Sequence, residues 1–308
     1  MQIFSQIREL PEHRKLSEQK MKKFVQYGAG NIGRGFIGQL FSQGGYEVNF
    51  IDVDMNIINT LNSEKRYPVR IVSGSGDREI WVENVKGIDG RDKDVVASAI
   101  AGADMMATAI GVNVLPRIVP LIAQGIRARK ESGNKEPLNI IICENLIDAD
   151  KFLHKLLSEQ FNEEENKYFE ENIGLVEASI GKMVPVMTEE QKKDNILRVN
   201  VEKYDKLPVD KAAFKGIIPE IPNLYPYTPF ELYIKRKLFV HNMGHALVSY
   251  LGNLKNLEYI WEAVEDPAIK LIAQRAMQES GLSLVRRFNI PANDITEHIY
   301  HLLGRFGN

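Results

Sequence analysis

The sequence predicts an α/β protein in which a doubly wound, mostly parallel sheet is followed by a mainly helical C-terminal domain. From Met21 onward, short runs rich in β-branched residues alternate with stretches long enough for crossover helices. From Phe230 to the end of the 308-residue chain, the pattern is helical almost throughout. Within that half we expect helix breaks at Gly252, Pro267, Gly281 and Pro291.

The candidate strands of the first half are short apolar runs. Those of the parallel sheet are 24–27, 47–53, 68–73, 80–85, 105–110, 138–143 and 173–180. Residues 197–204 instead alternate between apolar and polar side chains, which predicts an antiparallel strand with one face in solvent.

The length of 308 residues suits two domains rather than one core. We assign residues 1–20 to an N-terminal extension, because they carry charges throughout and lack the apolar segment of a signal peptide. Residues 21–225 form the predicted sheet domain and residues 226–308 the helical domain. Their boundary lies in the proline-rich stretch 218–229.

The composition excludes several classes of partner. The net charge of −2 gives no electrostatic footprint for nucleic acid. No apolar run approaches the ~20 residues of a membrane span, so we expect no membrane partner. Cys143 is the single cysteine, which precludes an intramolecular disulfide and fits a reducing compartment. We therefore expect a cytoplasmic protein, either a monomer or a weak dimer.

A glycine-rich segment follows the first candidate strand and opens a helical stretch. Its residues are Gly28, Ala29, Gly30, Asn31, Ile32 and Gly33. In the pattern G-x-G-x-x-G, the first glycine permits a tight turn, the second lets the backbone approach a pyrophosphate, and the third lets the helix pack on the strand. The helix N-terminus then offers N–H groups to phosphates. This arrangement predicts a Rossmann-type dinucleotide-binding domain.

An acidic residue, Asp52, stands 19 residues beyond Gly33 at the end of the second candidate strand. A carboxylate at this spacing accepts hydrogen bonds from the adenosine ribose hydroxyls. It would also repel a 2′-phosphate, so the sequence predicts NAD rather than NADP as the cofactor. Asp54 is an alternative for the same role.

The helical half contains a polar cluster in an apolar setting. On an α-helix, Lys237, His241, His245 and Asn242 would fall at about 0°, 40°, 80° and 140°, within less than half of the circumference. A hydride-transfer site needs a base for the alcohol proton and donors for the developing alkoxide. A lysine can be that base if burial or neighbouring cations lower its pKa.

Two other interpretations of this cluster remain open. It can be an ordinary amphipathic helix, or the i, i+4 spacing of His241 and His245 can indicate a metal site. The glutamate of H-E-x-x-H is missing and no third ligand is evident, so we expect no metal.

Three stretches in combination resemble the polyol-specific long-chain dehydrogenases, the mannitol dehydrogenase family. They are YGAGNIGRGFIG at 27–38, PLNIIICEN at 137–145 and KLFVHNMGH at 237–245. The stretch LLGRF at 302–306 is also typical of the family, and the resemblance runs from about Met21 to Phe306.

The resemblance implies metal-independent hydride transfer between NAD and a small sugar alcohol phosphate, with mannitol 1-phosphate and fructose 6-phosphate as the reacting pair. The family motif K-x4-N-x2-H falls on Lys237, Asn242 and His245. It implies that the lysine is the general acid/base and that the histidine binds and orients substrate. The asparagine of this motif works with that of the C-[DE]-N stretch, here Asn145, to polarise the reacting oxygen. Asn145 follows a predicted parallel strand, at the edge where such sheets bind ligands.

The sequence departs from the family at two places. The usual V-D-R-[IV]-x-P reads IGKMVP at 180–185, so Gly181 replaces the acid and Lys182 the arginine. Lysine keeps the positive charge but loses the planar bidentate geometry. Members of the family also continue beyond the position of Asn308, so we expect the helical domain to be incomplete.

Three alternative functions remain open at the level of the sequence. One is another polyol or hexuronate dehydrogenase of the same family. A second is a 6-phosphogluconate or β-hydroxyacid dehydrogenase, although that group has K-x3-N where Lys237 and Asn242 are separated by four residues. The third, of a different class, is a dinucleotide-binding protein without catalytic activity.

Overall fold

The computed structural model describes residues 21–73 and 76–307, and the predicted extension at 1–20 lies outside them. Its strands in chain order are β1 (Lys23–Tyr27), β2 (Glu47–Asp52), β3 (Arg66–Ile71), β4 (Arg78–Glu83), β5 (Val85–Asp89), β6 (Met105–Thr108), β7 (Leu138–Ile142), β8 (Ile173–Glu177), β9 (Val199–Val201), β10 (Leu207–Asp210) and β11 (Leu224–Tyr227).

A six-stranded parallel sheet in the order β5-β2-β1-β6-β7-β8 forms the centre of the first half. This order is that of a Rossmann-type fold, and it reverses direction between β1 and β6. Strands β6 and β7 are buried at every position, which explains their mainly apolar sequences. The crevice outside the carboxyl ends of β1 and β6 is where such sheets bind ligands.

Helices cover both faces of this sheet, and two separate apolar cores lie between the helices and the two faces. A π-helical segment, Gly33–Gly38, leads directly into the first α-helix. The α-helices of this half are α1 (Gln39–Gln43), α2 (Met55–Glu64), α3 (Lys93–Ala101), α4 (Leu115–Glu131), α5 (Ala149–Ser158), α6 (Glu163–Asn172) and α7 (Glu189–Lys192). Among the residues described, no helix combines the length and apolar character needed to cross a bilayer.

Two predictions about the strands are wrong. The runs at 68–73 and 80–85 do not join the parallel sheet; β3 and β4 form an antiparallel hairpin in a separate three-stranded sheet. Strand β9 pairs with β3 in parallel, whereas the alternation at 197–204 predicted an antiparallel strand. The alternation itself is present, since Val199 and Val201 are buried and Asn200 is half-buried. Alternation reports which faces are buried, and it carries no information about the direction of the partner.

The second half is a bundle of helices with its own apolar core. Its elements are α8 (Glu231–Arg236), a π-helical segment (Lys237–Asn242), α9 (Met243–Leu254), α10 (Ile260–Glu265), α11 (Pro267–Phe288) and α12 (Ala292–Phe306). Pro267 and Pro291 stand at helix starts, as predicted. Gly252 and Gly281 lie inside α9 and α11, so the predicted breaks there are wrong. A Cβ atom at Gly281 would collide with Ile295 of α12, so this glycine serves helix packing.

Candidate active site

The glycine loop follows β1 at the crevice. Gly28 has a φ of +98°, and a Cβ atom there would collide with the carbonyl oxygen of Ala109, which follows β6. A Cβ atom at Gly33 would collide with the carbonyl oxygen of Gly28. At Gly30, by contrast, a Cβ atom would meet nothing within 4 Å. The first and third glycines are therefore required by contacts within the protein, while the second leaves open space over the loop.

Asp52 and Asp54 make different contacts. Asp52 accepts hydrogen bonds from the backbone N–H of Ala29, at 2.7 Å, and from that of Val53, also at 2.7 Å. Its carboxylate thus lies half-buried against the glycine loop at the end of β2. Asp54 is the N-cap of α2 and accepts from the N–H of Asn56 at 2.9 Å. The structure therefore places Asp52 beside the loop and uses Asp54 to begin a helix.

Two buried charged residues, which were not predicted from the sequence, bind the loops on either side of the crevice. The Arg34 guanidinium donates to the carbonyl of Ala29, within the glycine loop. The Glu144 carboxylate accepts from the N–H groups of Ile110 and Gly111, at 3.0 and 2.8 Å, in the loop after β6. Both residues lie within stretches that carry the family resemblance, which was the signal available in the sequence.

The segment from Lys237 to Asn242 is π-helical, so the angles expected from an α-helix do not apply. The N–H of Met243 donates to the carbonyl oxygen of Leu238, five residues earlier. In a π-helix, residues five apart lie one above the other along the hydrogen-bond ladder. Asn242 therefore lies one turn above Lys237 on the same face, rather than about 140° around the helix as an α-helix would place it.

Lys237 and Asn145 meet although 92 residues separate them in the chain. The Nζ atom of Lys237 donates to Oδ1 of Asn145 at 3.1 Å. Burial lowers the pKa of Lys237, an effect that the nearby Cys143 opposes only in part. Desolvation disfavours the ammonium form, so the neutral amine that a general base requires becomes more accessible. Burial, and not the adjoining Lys235 and Arg236, causes this shift.

Lys237 lies between two cavities. One has a volume of about 310 Å³ and is lined by Glu144, Asn145, Ala178 and Lys237 among others, at the carboxyl edge of the sheet. The other is much smaller and lies against Arg236 and His241. The lysine ammonium can therefore reach a molecule held at the sheet edge.

Asn242 and His245, the other two predicted catalytic residues, take no part in this contact. In the part of the chain described, Asn242 makes no hydrogen bond to Lys237 or Asn145. His245 is exposed, with its ring 5.2 Å from that of Phe306. It lines a wide groove of about 740 Å³ that also includes Trp261. Although the residue as a whole is exposed, partial desolvation of the ring lowers the pKa of His245, so the neutral imidazole is favoured there.

No cluster of three or more His, Cys, Asp or Glu side chains with metal-binding geometry occurs within residues 21–73 and 76–307. His241, the other histidine of the i, i+4 pair, has its ring centre 5.7 Å from Phe306 and lines the small cavity beside Lys237. The two histidines thus face different cavities.

The segment that departs from the family pattern is attached to the C-terminal helix. Arg305 of α12 forms an ion pair with Glu202 at 2.6 Å and also donates to the carbonyl of Gly181. Lys182 is 5% exposed, and its ammonium lies 5.2 Å from the centre of the Phe36 ring. Burial lowers the pKa of Lys182 to about 8. These contacts join the end of the helical half to the sheet half close to Lys237.

This ion pair gives a test of how the two halves are held together. The Glu202 side chain is 8% exposed, so Arg305→Met would leave its charge buried with the N–H of Met183 as a partner but without a cation. We expect this change to lower the free energy of unfolding by about 3–5 kcal/mol. The double change Glu202→Gln with Arg305→Met should recover most of that loss. Urea unfolding followed by circular dichroism at neutral pH measures both.

The matched control is Arg287→Met, which breaks an ion pair with Glu231 whose side chains are 57% and 51% exposed. An exposed pair of this kind contributes about 0–1 kcal/mol. If Arg305→Met cost no more than Arg287→Met, the ion pair would not be what joins α12 to the sheet half.

Two solved structures share this fold over most of the chain. The structure described as Pseudomonas fluorescens mannitol 2-dehydrogenase in ternary complex with NAD and D-mannitol matches with a TM-score of 0.76 and 13% identity, covering 94% of this chain and 69% of that one. A D-sorbitol dehydrogenase in substrate-free form matches with a TM-score of 0.78 and 14% identity, covering 94% and 70%. At these identities the likeness establishes the fold.

Comparison with protein families establishes more than the fold. Residues 22–223 match the family described as the mannitol dehydrogenase Rossmann domain. Residues 230–308 match the mannitol dehydrogenase C-terminal domain. Together these matches cover nearly all of the described chain, and the protein belongs to the mannitol dehydrogenase family.

Proposed function

We propose that this protein is an NAD-dependent mannitol-1-phosphate 5-dehydrogenase, which interconverts mannitol 1-phosphate and fructose 6-phosphate without a metal. The observation that carries the proposal is the contact between Lys237 and Asn145 at the carboxyl edge of the sheet, next to the glycine loop. A half-buried lysine with a lowered pKa, held against an amide, can accept and return an alcohol proton. We expect the protein to act as a monomer or a weak dimer.

The residues around the crevice fit a dinucleotide. The open space over Gly30 lets a pyrophosphate approach the backbone between Gly28 and Gly33, and Asp52 lies beside this loop to accept from ribose hydroxyls. The P. fluorescens structure is described as a complex with NAD and D-mannitol, which supports the same assignment here. When bound, NAD supplies the acceptor for the hydride that leaves the alcohol carbon.

Lys237 takes the hydroxyl proton during oxidation of the alcohol and returns it during reduction of the ketone. Its neutral form is the base and its ammonium form is the acid, so both directions use one Nζ atom. With Oδ1 of Asn145 facing Lys237, the amide N–H2 of Asn145 is left to donate to the reacting oxygen. In this proposal Asn242, one π turn above Lys237, is the second donor, and His245 orients the substrate from the neighbouring groove.

The proposed substrate is tested by assaying the full chain with NADH against fructose 6-phosphate, fructose and fructuronate. We expect fructose 6-phosphate to have the highest kcat/KM, by at least tenfold. A preference for fructose or fructuronate would replace the proposed substrate by another polyol or a hexuronate within the same family. Binding of NADH without turnover of any of the three would contradict the proposed activity itself.

The cofactor preference is tested at Asp52. The parent should use NADH better than NADPH, because a 2′-phosphate would meet this carboxylate. Asp52→Asn keeps an oxygen that can accept from the Ala29 N–H but removes the charge, so the ratio of kcat/KM for NADH to that for NADPH should fall. Asp54→Asn is the control, since asparagine caps a helix as well as aspartate does, and the ratio should stay unchanged. Equal efficiency of the parent with both cofactors would rule out this role for Asp52.

The acid/base role is tested by Lys237→Ala, which should lower kcat by about 10²–10⁴-fold while NADH affinity, measured by fluorescence titration, stays near that of the parent. In the parent, oxidation needs the neutral amine and should rise with pH through the lysine pKa. Reduction needs the ammonium and should fall over the same pH range. Because burial lowers that pKa, both transitions should occur below the range of an ordinary lysine. A Lys237→Ala enzyme within a few-fold of the parent would exclude this mechanism.

A further inference from the structure

The small cavity beside Lys237 is lined by basic side chains and no acids. Its polar lining comes mainly from Arg236, Lys237, His241, His298, Arg305 and Tyr204, and its lining includes no aspartate or glutamate. Its volume of about 20 Å³ gives room for one compact polar group but not for a sugar ring. A cavity with this lining attracts an anion.

The two arginines of this cavity differ in their partners. Arg305 is neutralised by Glu202 through two hydrogen bonds of 2.6 and 2.7 Å. Arg236 has no carboxylate partner among the residues that the structure describes, and its guanidinium lies 4.4 Å from the centre of the Tyr233 ring. Stacking on an aromatic ring orients a guanidinium while leaving its N–H groups free to bind an anion.

His298 gives a second, independent observation. Its Nε2 atom is buried and has no hydrogen-bond partner in the described part of the chain. Buried polar atoms without a partner are rare and call for an explanation. Burial is the main cause that lowers the pKa of His298 to about 3, and the neighbouring Arg236 adds to it. Burial likewise lowers the pKa of His241 to about 3, with Arg305 as the second cause. An anion in the cavity would satisfy the orphaned atom and offset the positive charge of Arg236.

We infer that this cavity binds the phosphate group of the substrate, with Arg236 as the main cation and His298 as a further ligand. The inference rests on the proposed function and names the residues that would select a phosphorylated substrate. Lys237 borders both this cavity and the larger one at Asn145, so an extended substrate places its phosphate in one and its reacting carbon at the other. Arg236, His298 and Tyr204 each line this space and can donate hydrogen bonds to the phosphate oxygens.

Arg236→Gln tests the inference. Hydrogen bonds to a charged group contribute about 1.5–3 kcal/mol. We therefore expect the KM for fructose 6-phosphate to rise by about 10–100-fold. Inorganic phosphate should compete with fructose 6-phosphate in the parent and compete at least tenfold less well in this variant. Any rate with fructose, which lacks the phosphate, should change less than threefold. Arg236→Lys should restore part of the loss because it keeps the charge.

The matched control is Arg287→Gln, a change of the same type at an arginine outside the cavity, and it should leave all of these constants unchanged.

If the parent reduces fructose 6-phosphate and Arg236→Gln leaves its KM unchanged, the inference is wrong while the proposed function stands. An equal loss with fructose and with fructose 6-phosphate, not relieved by Arg236→Lys, would assign Arg236 a structural role and also overturn the inference. Competition by acetate rather than phosphate would identify a carboxylate site instead. A parent that does not reduce fructose 6-phosphate would overturn the proposed function as well.

Discussion

The hydrogen bond between Lys237 and Asn145 is the contact on which the proposed chemistry depends, because it brings a base from the helical half to the edge of the sheet. A single hydrogen bond contributes only about 0.5–1.5 kcal/mol, which is too little to hold two folded halves in register. That register comes from other contacts. Arg305 pairs with Glu202 and bonds the carbonyl of Gly181, and Met183 packs against the apolar core of the helical half. The lysine–asparagine bond is therefore a result of this packing, and its geometry depends on residues that never touch a substrate.

In this chain a π-helical turn accommodates the four residues that separate Lys237 from Asn242. In an α-helix the residues of K-x3-N, four apart, lie on one face, whereas those of K-x4-N would diverge. The π turn between Lys237 and Asn242 absorbs the additional residue and returns the two side chains to a common face. π turns are rare and are found mostly at functional sites.

The sequence predicted what depends on local pattern. Short, mainly apolar runs identified β1, β6 and β7, because strands covered on both faces of the sheet bury nearly every position. The glycine spacing placed the loop at the crevice because sterics alone demand Gly28 and Gly33. Strand β5 was not predicted, because its Lys86 and Gly87 have low β propensity. Glycine is required at position 87 because a Cβ atom there would lie 2.6 Å from the carbonyl oxygen of Ile58 in α2. The π turn, the direction of β9 and the separate position of His245 depend on tertiary packing, which periodicity does not encode. The cationic cavity escaped prediction for the same reason, as His298 and Arg236 come together only when α12 packs on the π turn.

The most direct test of this account is the pKa of Lys237 itself, followed by NMR of the full chain with isotopically labelled lysine side chains. The Lys237 signal is assigned by its loss in Lys237→Arg. Lys237 should titrate below the range of the exposed lysines, because its partial burial between the two halves disfavours the ammonium. In Arg305→Met, which loosens the two halves, the pKa should move back toward the ordinary value. A Lys237 that titrates together with the exposed lysines in the parent would show that it is not buried at the sheet edge, and would contradict the account.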